Sequence, residues 1–117
     1  MSNFKEGNLE ITLEQNNGNI MKWLGRSDDR DPSALLNPYI DGVIDTLKGK
    51  DLEIQFGQLE YMNSSTVPPI IQLIKKLNNS EIKSVITYDK DSKWQAASFK
   101  ALETIVRTMD FVDVVGK

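Results

Sequence analysis

Leu52-Glu53-Ile54-Gln55-Phe56, followed a short way on by Val67-Pro68-Pro69-Ile70-Ile71-Gln72-Leu73-Ile74-Lys75-Lys76-Leu77, is the stretch whose reading decides the fold. Leu52, Ile54 and Phe56 recur every second residue, the period of a strand with one buried face. Val67, Ile70, Ile71, Ile74 and Leu77 recur every three to four residues, the period of a helix with a wide apolar stripe. Asn78-Asn79-Ser80 ends that helix, and Val85 and Ile86, within Lys83-Ser84-Val85-Ile86-Thr87-Tyr88, read as a further and more central strand. Strand, helix and strand in this order form a crossover unit, which sets the strands parallel and winds right-handed.

Towards the C-terminus, Asp91 or Ser92 caps a third helix presenting Trp94, Ala97, Ala101 and Ile105, and Phe111 to Val115 reads as a short closing strand. Towards the N-terminus, Leu9, Ile11 and Leu13 alternate with Glu10, Thr12 and Glu14, and Gln15 to Asn19 are residues that let a chain reverse. A second strand over about Ile20 to Leu24 completes a hairpin. Gly25-Arg26-Ser27-Asp28-Asp29-Arg30-Asp31-Pro32 is a polar loop ending that strand. After it, Asn37 as cap and Pro38 as first helical residue open a helix whose apolar face is Ile40, Val43, Ile44 and Leu47, closed by Gly49 and Lys50. The order β-β-α-β-α-β-α-β predicts an α/β fold: a mixed, mostly parallel sheet of about five strands with helices packed against it.

Length and composition bound the rest. The 117 residues fit one domain, 1–117, and 39% hydrophobic with 26% charged residues are the proportions of an ordinary folded chain. The net charge of −3 and the scattered basic residues disfavour a nucleic-acid partner, which calls for a concentrated basic patch. With no cysteine and no histidine, thiol chemistry, disulfides, most zinc sites and the commonest general base are excluded, and no cofactor or metal is expected. No segment reaches the roughly 20 apolar residues that span a bilayer, and the start lacks the apolar run of a secretory signal, so the expectation is a cytoplasmic protein without membrane insertion.

Function concentrates in Leu59-Glu60-Tyr61-Met62-Asn63-Ser64-Ser65-Thr66-Val67-Pro68-Pro69-Ile70, where the third strand hands over to the second helix. In open α/β sheets, the carboxyl ends of strands and the adjoining helix N-termini are where ligands and partners are met. Tyr61-Met62-Asn63-Ser64-Ser65 after a strand resembles the signature of the STAS domain, the fold of bacterial anti-sigma factor antagonists. The order of elements and the loop Leu24-Gly25-Arg26-Ser27-Asp28 resemble that family too. The resemblance implies a STAS-like single domain that binds a protein partner, an anti-sigma-type serine kinase or a larger assembly. It further implies that Ser65, with Ser64 just before it, is the phosphoacceptor in a partner-switching pathway of transcription regulation. Two positions differ from the family pattern: Asn63 stands where Asp is usual and Thr66 where Gly is usual. Pro68 and Pro69 also remove two amide donors from the helix start. Capping of the second helix by Ser64 or Ser65 accounts for serine there equally well.

Partner-binding candidates on this reading are Ser27, Asp28, Asn63, Ser64, Ser65, Thr66, Lys75 and Lys76. Asp28, Asp29 and Asp31 lack the ligand spacing of a calcium loop and read as a solvated loop neutralised by Arg26 and Arg30. Trp94 reads as core, whereas Trp23 fits either core or a binding surface. An enzyme would need a nucleophile beside a base, and neither a G-x-S-x-G elbow nor a glycine-rich phosphate loop is present, so a non-enzymatic binding module is expected. Within that class two readings stand: a phosphorylation-switched antagonist, and an accessory subunit that binds its partner constitutively. The sequence does not specify an oligomeric state.

Overall fold

In the computed structural model, which describes residues 3–117, the chain runs β1 (Phe4–Glu6), β2 (Leu9–Glu14), β3 (Ile20–Ser27), α1 (Pro32–Leu47), β4 (Leu52–Gln55) and β5 (Leu59–Met62). It continues through a one-turn 3₁₀ helix (Ser64–Thr66) into α2 (Val67–Asn79), β6 (Ser84–Tyr88), α3 (Lys93–Val106) and β7 (Val112–Gly116). The sheet order is β1-β2-β3-β4-β6-β7, with β5 also pairing β3. The β1–β2 and β2–β3 pairs are antiparallel and all the others parallel.

Period-two patterning makes this sheet one-sided. Leu13, Met21, Ile54, Ile86 and Val114 stand in register across β2, β3, β4, β6 and β7, and every one is buried. The neighbouring row, Thr12, Lys22, Gln55, Thr87 and Val115, points to the opposite face and is mostly partly exposed. The helices bring Leu36, Ile40, Val43, Ile70, Leu73, Ile74, Phe99 and Leu102 to the first face, forming one hydrophobic cluster. Through its middle runs an aromatic file: Trp23 to Phe56 at 4.9 Å, Phe56 to Phe99 at 4.8 Å and Phe99 to Tyr88 at 5.4 Å between ring centroids. Trp23 is therefore core, its indole N–H reaching only the Met21 sulfur at 3.3 Å, while Trp94 packs partly buried at the rim. Tyr88 donates its hydroxyl proton to Glu103 at 2.6 Å, and that bond, with burial, raises its pKa above the ordinary phenol value.

The mixed, mostly parallel sheet is as expected, but with seven strands among the described residues rather than about five. One added strand, β1, is a three-residue edge; the other, β5, arises because the segment after Leu52 does not stay beside one neighbour. β3 pairs β4 along Ile20–Lys22 and β5 along Gly25–Ser27, so the chain steps away from β3 at Phe56-Gly57-Gln58 and returns. The step leaves the carbonyls of Phe56 and Leu59 facing inward, and the Gln95 side-chain amide donates to both, at 2.8 and 2.9 Å. Its carbonyl accepts the Asp89 N–H at 2.8 Å, and Gln95 is only 1% exposed.

Gln95 corrects the expected face of α3. The buried stripe is Gln95, Phe99, Leu102 and Val106; Ala97 and Ala101 face solvent, and Trp94 and Ile105 flank the core. The start of α1 is corrected as well. Asp31, not Asn37, is the cap, accepting the Ala34 N–H at 3.4 Å, and Pro32 holds the first turn. Pro38 lies inside α1 and deprives the Ala34 carbonyl of its helical partner, but both residues are exposed and water can serve that carbonyl. β3 likewise runs past Leu24 to Ser27, by way of Gly25 at φ +83°, where a Cβ would stand 2.2 Å from the Asn8 carbonyl oxygen.

Replacing Gln95 with Leu should lower stability by about 2–4 kcal/mol, because the buried Leu59 carbonyl and the Asp89 N–H lose the Gln95 side chain and the Phe56 carbonyl keeps only the Leu59 N–H, while the volume is kept. Urea unfolding read by tryptophan fluorescence should show a lower midpoint at an unchanged slope.

Candidate functional site

The step of β5 back to β3 sets two chain ends side by side. Ser27, ending β3, pairs with Met62, ending β5, and the next residue, Asn63, donates its N–H to the Ser27 carbonyl at 2.9 Å. The chain then closes the 3₁₀ turn, with the Thr66 N–H on the Asn63 carbonyl at 3.1 Å.

Side chains fasten the turn to the loop after β3. The Asn63 amide nitrogen lies 2.7 Å from the Asp29 carbonyl, its amide oxygen 2.7 Å from Thr66 Oγ1, and Thr66 Oγ1 2.7 Å from Ser27 Oγ. The donors can be ordered by elimination. A backbone carbonyl only accepts, so Asn63 donates to Asp29; its oxygen then accepts from Thr66, whose single proton is thereby used; Ser27 must donate to Thr66. Ser27 and Thr66 are 2% and 0% exposed, so this chain of bonds lies in the interior and ends at the surface on Asp29. Of the partner-binding candidates, these two are corrected to a framework role, because neither has surface to offer.

Ser64 and Ser65 are the exposed part of the turn. Among the described residues neither hydroxyl has a hydrogen-bond partner, and neither caps α2, whose cap position is Thr66 in helical conformation. The Val67 N–H is held by the Ser64 carbonyl, and Pro68 and Pro69 have none, so the first turn of α2 presents no free N–H to an anion.

Around the serines, Tyr61 is 39% exposed and the Arg26 guanidinium lies 4.7 Å above its ring. Asp28 stands 4.0 Å from Arg26 and accepts from the Asn8 amide, Asp29 accepts the Asp31 N–H, and Asp31 caps α1. These roles account for the acidic loop, and among the described residues no group of three or more acidic side chains is placed to hold a metal. Arg26 neutralises Asp28 as expected, while Arg30 forms no ion pair among the described residues. Lys76 joins α2 to α1 through Asp41, and Lys75 is exposed; both stand about 12 Å or more of helix rise beyond Val67 and are not gathered at the turn. The Tyr61–Arg26 stack and the fastening of Asn63 to Asp29 were not foreseen from the sequence. They join residues more than thirty positions apart, across which no local periodicity reports.

Thr66→Val keeps the shape of the side chain and removes both hydroxyl bonds, stranding the buried Ser27 hydroxyl. It should cost about 1–3 kcal/mol in chemical unfolding and speed amide exchange at Ser64 to Thr66, whereas Thr66→Ser should do neither to the same degree.

No family model matches the chain, and no curated protein matches it significantly. Among solved structures, SiaC of Pseudomonas aeruginosa is similar, with a TM-score of 0.65 and 18% sequence identity over 100% of both chains. That likeness is one of fold along the entire length.

Proposed function

We propose that this chain is a protein-binding regulator resembling the STAS-type anti-sigma factor antagonists, with no catalytic role, whose docking surface is switched by phosphorylation of Ser65, Ser64 being the alternative acceptor. The observation that carries the proposal is the division of three adjacent hydroxyls: Ser64 and Ser65 are exposed and unbonded, while Thr66 is buried and bonded on two sides. A kinase could reach the serines without unfolding the turn, and Thr66 is withheld from it.

A phosphate adds about −1.5 to −2 charges at pH 7. Here it finds no free N–H in the first turn of α2, and the turn is tied to the loop carrying Asp28 and Asp29. Beside that acidic loop the added charge acts on a docked partner by repulsion and desolvation. Asp28, Asn63, Ser64, Ser65 and the exposed Tyr61 form the contact surface on this reading, with Lys75 at a more distant rim. The partner class is an anti-sigma-type serine kinase, and the setting a cytoplasmic signalling pathway.

One observation favours a second reading, that of an accessory subunit that binds constitutively. The Asn63–Thr66 framework presets the turn, so docking needs no chemical change to order it.

Peptide mass spectrometry of the protein from its native cells separates the two. The switch predicts a single phosphate within Asn63 to Pro69 in some growth or stress condition. It also predicts that Ser65→Asp weakens capture of the co-purifying partner roughly tenfold or more, with Ser65→Ala binding as wild type. An unmodified segment under all conditions, with Ser65→Asp binding normally, would leave the constitutive reading.

A further inference from the structure

We infer that β7 is an assembly edge, through which two copies of this chain pair antiparallel about a two-fold axis and join their sheets. The inference does not depend on the phosphorylation proposal.

Hydrogen bonds set the geometry. The Phe111 carbonyl accepts from Ser84, the Lys117 N–H donates to Tyr88, and the Lys117 carbonyl accepts from Lys90. Since both backbone groups of a strand residue point to one side and alternate along the chain, the odd residues 111 to 117 face β6. Val112, Val114 and Gly116 then aim their N–H and carbonyl groups away from the sheet, where no strand among the described residues pairs with them. Such a row of free groups is a template for another strand.

The two edges of the sheet are treated differently. β1 is three residues long, carries Lys5 and Glu6, runs into Gly7 at φ +56°, and has Phe4 against Tyr39 at 5.3 Å. Short length and charge are the means by which sheet edges are kept from pairing. β7 has neither protection: it is Val112-Asp113-Val114-Val115-Gly116, with one charge, and Val115 is 42% exposed, the most exposed large hydrophobic side chain among the described residues.

A second copy fits this edge by self-complementarity. Setting Val114 opposite the partner's Val114 matches the greatest number of outward groups, Val112 and Gly116 facing their counterparts across the axis. In this register Asp113 lies opposite the partner's Val115 on the open face of the sheet. Lys117 falls diagonally beside the partner's Asp113, within reach of a long side chain. No like charges meet, and each two-fold pair of strands brings two opposite-charge contacts.

The register makes Val115 a discriminating position, exposed enough that its substitution spares the core. Val115→Glu places a carboxylate against the partner's Asp113 twice per dimer, and Val115→Lys places an ammonium there. Sedimentation velocity of the tagless chain across a wide concentration range should show wild type moving reversibly from 13.2 kDa towards twice that mass. Val115→Glu should raise the dissociation constant about tenfold, and Val115→Lys should hold or lower it. In hydrogen exchange, the amides of Val112, Val114 and Gly116 should exchange fast in dilute solution and slow on concentration, while those of Asp113, Val115 and Lys117 stay slow throughout. Circular dichroism melts of both variants serve as the check on folding. A wild type monomeric at every concentration, equal weakening by both substitutions, or outward amides already protected when dilute would each overturn the edge pairing.

Discussion

The architecture depends on how the sheet parts at Phe56-Gly57-Gln58 and on the side chain that makes the parting tolerable. A strand that changes neighbours leaves carbonyls without a ladder partner, and in the interior each such group costs about 1–3 kcal/mol. Gln95 meets that cost from another element, its amide bridging the Phe56 and Leu59 carbonyls while its own oxygen is taken by Asp89. A glutamine on α3 thus holds the parting after which β5 returns to β3 and brings Asn63 beside Ser27.

Gly25 contributes the complementary half. Its positive φ and the absence of a Cβ let β3 pass within contact distance of the Asn8 carbonyl, so that Arg26 can bond Asn8 and the strand can still present Ser27 to Met62. The two adjustments together, one in β3 and one between β4 and β5, converge on a single point at the carboxyl ends of the strands. There the backbone is anchored by bonds that run from the buried Ser27 and Thr66 out to Asp29, and Ser64 and Ser65 at the tip are exposed. A stable base and an accessible tip are the conditions under which a modification alters a surface without altering a fold.

Much of this was legible in the sequence where one physical signal dominated. The alternation in Leu9–Leu13 and Leu52–Phe56 and the 3.6-residue stripe of α2 gave the right elements because burial on one side was all that had to be decided. Legibility failed where two signals competed or where the deciding group was distant. Asp31-Pro32 and Asn37-Pro38 are both acceptable helix starts; the earlier one is used because it adds Pro32 and Leu36 to the core, while the proline left inside α1 falls on the wet side. α3 offers two apolar stripes, Trp94-Ala97-Ala101-Ile105 and Phe99-Leu102-Val106, and the second is the buried one because it continues into Gln95, which is drawn inward by carbonyls some forty residues away. The strand-to-helix junction drew attention to the three adjacent hydroxyls, but the separation of Thr66 from the two serines required the partners Ser27 and Asp29, which no local pattern supplies.

Asn63 and Thr66 make physical sense only as a pair. An aspartate at position 63 has no donor for the Asp29 carbonyl, so the loop after β3 would lose its fastening, and the carboxylate would face that carbonyl. A glycine at position 66 would leave the Ser27 hydroxyl buried with nothing to bond. Asn63 and Thr66 supply one donor and one acceptor each, in the order that Ser27 and Asp29 require, and the turn is held by side chains where glycine would have relied on its wider range of φ and ψ. Asn63 also leaves the residue next to Ser64 without a fixed negative charge. In the proposed switch, the phosphate then brings the first charge to the turn itself, beside the loop that carries Asp28 and Asp29. The contrast a partner meets between the two states is correspondingly larger.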